Sequence, residues 1–246
     1  MEIINIRTRS AVAHYFNQKE IYTMRFIKEG PKGIEISTPV GRLSWTFIFS
    51  EDPRQKPGDQ NKYKTTIMLP KNEAALDSLG LNPKQVAKVL ADVADFVEEF
   101  RGHCSKIAEA RFQSKWKKTR WCPMLDGDEL TDTWEGNANF WVIRTKSKFK
   151  PTVIDKNREK IETDANPEGL YSGCWARIKL SVYCYDVDGN KGVAAGLGFF
   201  IQKQANDDEF GTATSTEDAF NDDVEDLDIA DSDFDSDDQD DDEELV

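Results

Sequence analysis

The chain has 246 residues, enough for one large domain or two small ones with a substantial core, and carries 46 acidic against 32 basic side chains. The excess is uneven: residues 206–246 hold 20 Asp and Glu with no Lys or Arg, so the first 205 residues stand at +6 ahead of a tail at −20. Such asymmetry points to a nucleic-acid surface on the body and an interaction role for the tail. No run approaches the ~18 apolar residues that span a bilayer, and residues 1–9 lack the apolar stretch of a signal peptide. Cys104, Cys122, Cys174 and Cys184 form no CxxC pair, and His14 and His103 are the only histidines, so reduced structural thiols are expected rather than a zinc site.

Taken in chain order, residues 1–20 give little signal and read as an arm or an added edge strand. The body, 21–205, begins with a strand-like stretch over 33–50, with a turn at Pro39-Val40-Gly41. Residues 51–61 (EDPRQKPGDQN) hold two prolines, a glycine and no apolar side chain, which predicts a loop. The alternation over 62–69 predicts a strand that Pro70 stops. A short helix is expected over 72–79. Asn82-Pro83 then supplies an N-cap and an N1 proline, and Val86, Val89, Leu90, Val93, Phe96, Val97 and Phe100 form one apolar stripe. That helix continues past Gly102 to about Arg111, and 116–136 reads as irregular. Residues 139–149 predict a strand, and 152–161 a hairpin or a short strand and turn. Residues 173–185 and 191–202 flank Asp186-Val187-Asp188-Gly189-Asn190, a strong hairpin signal. The order fits a mainly β (α+β) fold with an inserted helix: an OB-like five-stranded Greek-key barrel, although other α+β sheets share the pattern. Residues 206–246 are too charged and too poor in apolar side chains to offset their ordering entropy, so a disordered acidic tail is expected.

The most informative run is 173–185, GCWARIKLSVYCY. Alternate side chains of a strand share a face. One face collects Cys174, Ala176, Ile178, Leu180, Val182 and Cys184; the other collects Trp175, Arg177, Lys179, Ser181, Tyr183 and Tyr185. Rings paired with cations suit a single strand, because every base has a π-face to stack and every phosphate needs a positive charge. The competing reading is a strand whose rings cover a second core layer. On the strand from Trp141, Arg144, Lys146, Lys148 and Lys150 share a parity, and Lys62 and Lys64 do the same farther upstream. Lysines also blunt sheet edges, so these rows are nucleic-acid contacts only if the sheet brings them into one trough. A further basic-aromatic cluster runs over 115–121, KWKKTRW.

Other constellations carry less. Asp186-x-Asp188-Gly189-Asn190 fails the calcium-loop spacing. Asp126, Asp128, Glu129, Asp132 and Glu135 sit in an irregular segment without a nearby His, which makes a metal-dependent nuclease a poor reading. No GxxxxGK[ST] loop occurs, so no nucleotide-driven step is expected. The small residues of 193–198 suit a barrel bend or close backbone approach.

With these residues in view, the sequence resembles the bacteriophage OB-fold single-stranded DNA-binding protein family, on Tyr171-Ser-Gly-Cys-Trp175, Tyr183-Cys-Tyr-Asp186 and Gly189-Asn-Lys-Gly-Val-Ala-Ala-Gly-Leu197. The resemblance implies non-enzymatic, sequence-independent coating of single-stranded DNA in phage replication, recombination and repair, in the cytoplasm of an infected bacterium. No cofactor and no metal are expected from the residues discounted above. The candidate contacts are Lys62, Lys64, Arg144, Lys146, Lys148, Trp175, Arg177, Lys179, Tyr183 and Tyr185. Replication or recombination proteins would dock on the tail, at Asp237, Asp238, Asp240, Asp241, Asp242, Glu243 and Glu244. Related tails often end in an aromatic residue; this one ends Leu245-Val246, with Phe210, Phe220 and Phe234 farther in. A strand-annealing or single-stranded RNA-binding role on the same fold stays open, and the oligomeric state is not legible.

Overall fold

The computed structural model describes residues 28–30 and 33–210; the expected arm over 1–20 and the acidic residues from Asp237 to Glu244 lie outside the described residues. The body is mainly β with one long inserted helix. Among the described residues its nine strands are β1 Lys28–Gly30, β2 Gly33–Ser37, β3 Gly41–Phe47, β4 Tyr63–Pro70, β5 Met124–Asp126, β6 Phe140–Ser147, β7 Thr152–Ile154, β8 Trp175–Val187 and β9 Asn190–Ala205. They form one sheet in the order β1-β2-β8-β3-β4-β6-β5, with β9 pairing β8 and β7 pairing β9. Among the described residues the strands outnumber the expected five: β1 and β5 are three-residue strands that no periodicity could reveal, β7 is the short strand expected within 152–161, and the strand-like stretch over 33–50 divides into β2 and β3.

The expected turn at Pro39-Val40-Gly41 is a kink in one long path. β2 pairs β8 at Ser37↔Lys179, and β3 pairs the same strand at Gly41↔Ala176. Glycine is required at the kink: a Cβ on Gly41 would stand 2.7 Å from both Ile67 Cγ1 and the Met68 carbonyl oxygen. β3 passes to β4 (Leu43↔Ile67) and β4 to β6 (Ile67↔Ile143), so Leu43, Ile67 and Ile143 line up across three strands, all fully buried. The hairpin joining β8 to β9 turns on Asp188 and Gly189, with φ of 50° and 81°, and closes at Val187↔Asn190.

Helix α1 spans Pro83–Phe112 and opens with a capping box in which the Asn82 side chain accepts from the Gln85 N–H and the Gln85 side chain accepts from the Asn82 N–H. Val89, Val93, Phe96, Phe100, Cys104 and Ala108 bury its apolar stripe in the core; Val86, Leu90 and Val97 pack beside them half-buried. The short helix over 73–79 is a 3-10 segment ended by Gly80 at φ 57°. Asp126 and Asp128, part of the acidic stretch, hold the Lys71 ammonium, with Asp128 at 2.7 Å. All four cysteines are free thiols.

The packed body runs to Phe210, five residues past its expected end at 205. Asp207 explains why. Its carboxylate accepts from Trp175 Nε1 at 2.7 Å and from Ser78 Oγ at 2.5 Å, and pairs with Arg42 at 3.5 Å. The Phe210 ring lies under the Arg42 guanidinium (4.0 Å) and edge-on to Trp134 (4.8 Å).

Candidate nucleic-acid interface

Cross-strand pairing assembles the basic rows. Lys64 of β4 stands directly opposite Lys146 of β6, and Thr66 opposite Arg144. Across the other edge of β4, Ser44 faces Thr66 and Phe47 faces Lys64. Lys64, Arg144 and Lys146 therefore share one face of β3–β4–β6; Arg144 and Lys146 are exposed and Lys64 is half-buried. Lys62 is exposed just before β4, and exposed Lys148 donates to Gln60 Oε1 at 2.6 Å. Lys64 also pairs with Asp52 at 3.2 Å. Burial alone would raise the Asp52 carboxyl, but the Arg54 backbone N–H and the Lys64 ammonium outweigh it and hold it below its ordinary value.

This end of the sheet also carries rings that parity in the sequence did not select. β3 bulges between Ser44 and Phe47, so Trp45 and Thr46 stand against Thr65 alone. Thr46 turns inward, its hydroxyl 3.0 Å from that of Thr65. Trp45 is extruded at φ 50°, 49% exposed, with the Arg54 guanidinium 3.9 Å from its ring centroid. A bulky residue at positive φ is a strained conformation that clusters at binding sites. Phe149 is 68% exposed, and Lys150 sits 4.3 Å over the Phe49 ring. The available signal was the ring-dense run LSWTFIF at 43–49, but a bulge is invisible to strict alternation.

β8 requires two corrections. Trp175 lies on the expected pleat side, level with Arg42 and Met68, yet it is fully buried, because Phe140, Asp207 and the 206–210 segment close over that end of the face. It is a core residue, not a stacking platform. Arg177 is half-buried with Nε and Nη2 enclosed. It is close enough to Asp92 of α1 to oppose the rise that burial imposes on that carboxyl. Two of its three guanidinium nitrogens are therefore closed off from solvent.

Beyond this point the stripe is open. Lys179 lies 5.3 Å over the Phe200 ring, Tyr183 is 42% exposed and Tyr185 half-exposed. Opposite Lys179, β9 carries extra residues between its pairings Leu180↔Leu197 and Ile178↔Ile201, which is why Phe199 and Phe200 are 62% and 45% exposed. The remaining partners on β9 are small: Gly192 faces Tyr185, Ala194 faces Tyr183 and Gly196 faces Ser181. A Cβ on Gly192 would stand 2.8 Å from Tyr185 Oη, and one on Gly196 3.3 Å from Tyr183 Cε1, so both rings lie across the neighbouring strand.

The two groups do not line a single trough. From the Arg42↔Trp175 pairing, Lys179 lies four residues along β8 one way; Lys64 and Lys146 lie four residues the other way. At about 3.3 Å per residue this separates them by roughly 26 Å along the strands. Arg42, Asp207 and Phe210 occupy the middle.

A mainly β body that carries rows of cations beside exposed rings has the make-up of a nucleic-acid-binding module. The family model described as Enterobacter phage Enc34, ssDNA-binding protein, matches residues 34–243, and the chain belongs to that family, which is one of binding proteins and not of enzymes. No curated protein matches the chain. Among solved structures it is similar to the single-stranded DNA-binding protein from bacteriophage Enc34, at 19% identity and TM-score 0.48, over 80% of this chain and 99% of that one. It is likewise similar to that protein in complex with ssDNA (19%, TM-score 0.49, 77% and 99%). A third likeness is gp2.5, a single-stranded DNA-binding protein encoded by bacteriophage T7 (12%, TM-score 0.40, 73% and 96%).

Proposed function

We propose that the protein coats single-stranded DNA without sequence preference, serving phage replication, recombination and repair in the host cytoplasm on an OB-type barrel. The observation that carries the reading is the cross-strand row of Lys64, Arg144 and Lys146 beside the extruded Trp45. Phosphates engage Lys64, Arg144, Lys146, Lys62 and Lys148; bases stack on Trp45, and on Tyr183 and Tyr185 beyond Lys179. Trp175 and Arg177 have no part in it. Duplex DNA is disfavoured because its bases are already stacked on one another.

The test is a titration of labelled single- and double-stranded oligonucleotides across a salt series. Trp45→Ala and Tyr183→Ala should each lose about 1–3 kcal/mol, the worth of one stacked base, by an amount that changing salt does not restore. Unchanged affinity in the double variant would remove the stacking role.

The acidic residues from 211 onward compete with DNA for the cations and, once displaced, become available to replication or recombination proteins. Opposite charge supports this, as does the position of Asp207 and Phe210 against Arg42, on the face that bears the basic row. Ending the chain after Phe210 should tighten binding at low salt several-fold, read by the same titration; weaker binding would refute the competition. The cut belongs after Phe210, because a cut at 205 also strips Asp207 from the core.

A further inference from the structure

A second basic surface lies off the far edge of β9. Residues 111–120 carry five cations, Arg111, Lys115, Lys117, Lys118 and Arg120, and no acid. Among the described residues none of the five takes part in an ion pair. The 3-10 segment Gln113–Lys118 packs Trp116 edge-on to Trp121, with centroids 5.6 Å apart, and half-buries both rings. That anchoring leaves Lys115, Lys117, Lys118 and Arg120 exposed. Like charges so held repel one another unless an anion sits among them.

Arg120 joins this surface to the tyrosine stripe. Its carbonyl accepts from Val193 N at 2.8 Å, and it bridges Gly192 on the edge of β9 away from β8. A Cβ on Gly192 would stand 2.7 Å from the Arg120 carbonyl oxygen and 2.8 Å from Tyr185 Oη, so the Tyr185 ring and the Arg120 backbone both lie against Gly192. Beside it a cavity of about 350 Å³ is lined by Arg101, Thr119, Arg120, Trp121, Cys122 and Met124.

We propose that this surface is a second single-strand subsite: a strand stacked on Tyr183 and Tyr185 crosses β9 over Gly192, and its next phosphates are held by Lys117, Lys118 and Arg120. The inference rests on the single-stranded DNA reading above and adds a direction and a length to the site. An acidic polypeptide would match the charge equally well. Nucleic acid is favoured because the cations adjoin, at Gly192, a stripe that bears exposed rings.

The experiment compares the full chain with Lys117→Glu/Lys118→Glu/Arg120→Glu on oligothymidylates of increasing length, each across a salt series. Short oligonucleotides should bind both proteins alike. Long ones should bind the variant about tenfold more weakly, with a log–log salt slope shallower by about 2, at roughly 0.7 per phosphate contact. Equal affinity and slope at every length would overturn the subsite and leave the main site standing. A loss of equal size for short and long oligonucleotides would also overturn it, because the patch would then act on the main site rather than extend it. Absence of single-strand binding by the unaltered chain would overturn the underlying reading as well. If the reversal disturbs folding, the Gln versions of the three substitutions read the same length dependence.

Discussion

Replacing Lys64 by Gln and Arg144 and Lys146 by Glu in one chain should lower single-stranded DNA affinity at least about 10³-fold at low salt. Three charge-assisted contacts are lost, each worth about 1.5–3 kcal/mol, and 1.4 kcal/mol is one decade in affinity. The log–log salt slope should become shallower by about 2. Gln rather than Glu is chosen at position 64 because Asp52 lies 3.2 Å from the Lys64 ammonium; a second carboxylate there would repel the first and confuse folding with binding. Arg144 and Lys146 are exposed and make no ion pair among the described residues, so their reversal should leave unfolding almost unchanged. Filter binding across salt, with thermal unfolding alongside, reads both quantities. A loss of less than tenfold with an unaltered slope would take the β4–β6 face out of the interface.

Trp175→Ala should instead act on stability, lowering it by about 3–5 kcal/mol, the usual cost of emptying a buried tryptophan site. The fully buried ring packs near Phe140, and its Nε1 donates to the Asp207 carboxylate. Removing it leaves both a cavity and a carboxylate short of a donor. Trp175→Phe fills most of the space and loses only the hydrogen bond, so it should fall between the two. Urea unfolding followed by far-UV circular dichroism measures the difference. The sequence reading placed this ring in the DNA site; a Trp175→Ala protein that kept its stability and lost its affinity would restore that assignment.

The contrast between these residues shows what was legible. Alternation assigned 176–183 of β8 correctly to two faces, and the apolar stripe with Asn82-Pro83 gave the start and burial of α1. Both are local patterns repeated over many residues. The basic parities of β4 and β6 were also readable, though only cross-strand register shows that Lys64 meets Lys146. Trp175 shares its pleat side with Lys179 as alternation requires, but what covers a face is decided by residues thirty positions away. Asp207 and Phe210 were assigned to a featureless tail, and a single chain gives no means of pairing them with Arg42. Trp45 was passed over for a different reason. One extra residue in β3 breaks the period of two, and nothing in LSWTFIF marks which residue is extruded.

The bulge at Trp45 has a bearing on the kinetics of binding. Its backbone at φ 50° and the guanidinium of Arg54 on its ring fix the indole before any ligand arrives. A base landing there meets a surface already in place, so little side-chain freedom is surrendered on contact. Association should then be limited by encounter rather than by rearrangement, and discrimination among lengths and sequences should show mainly in how long a complex lasts.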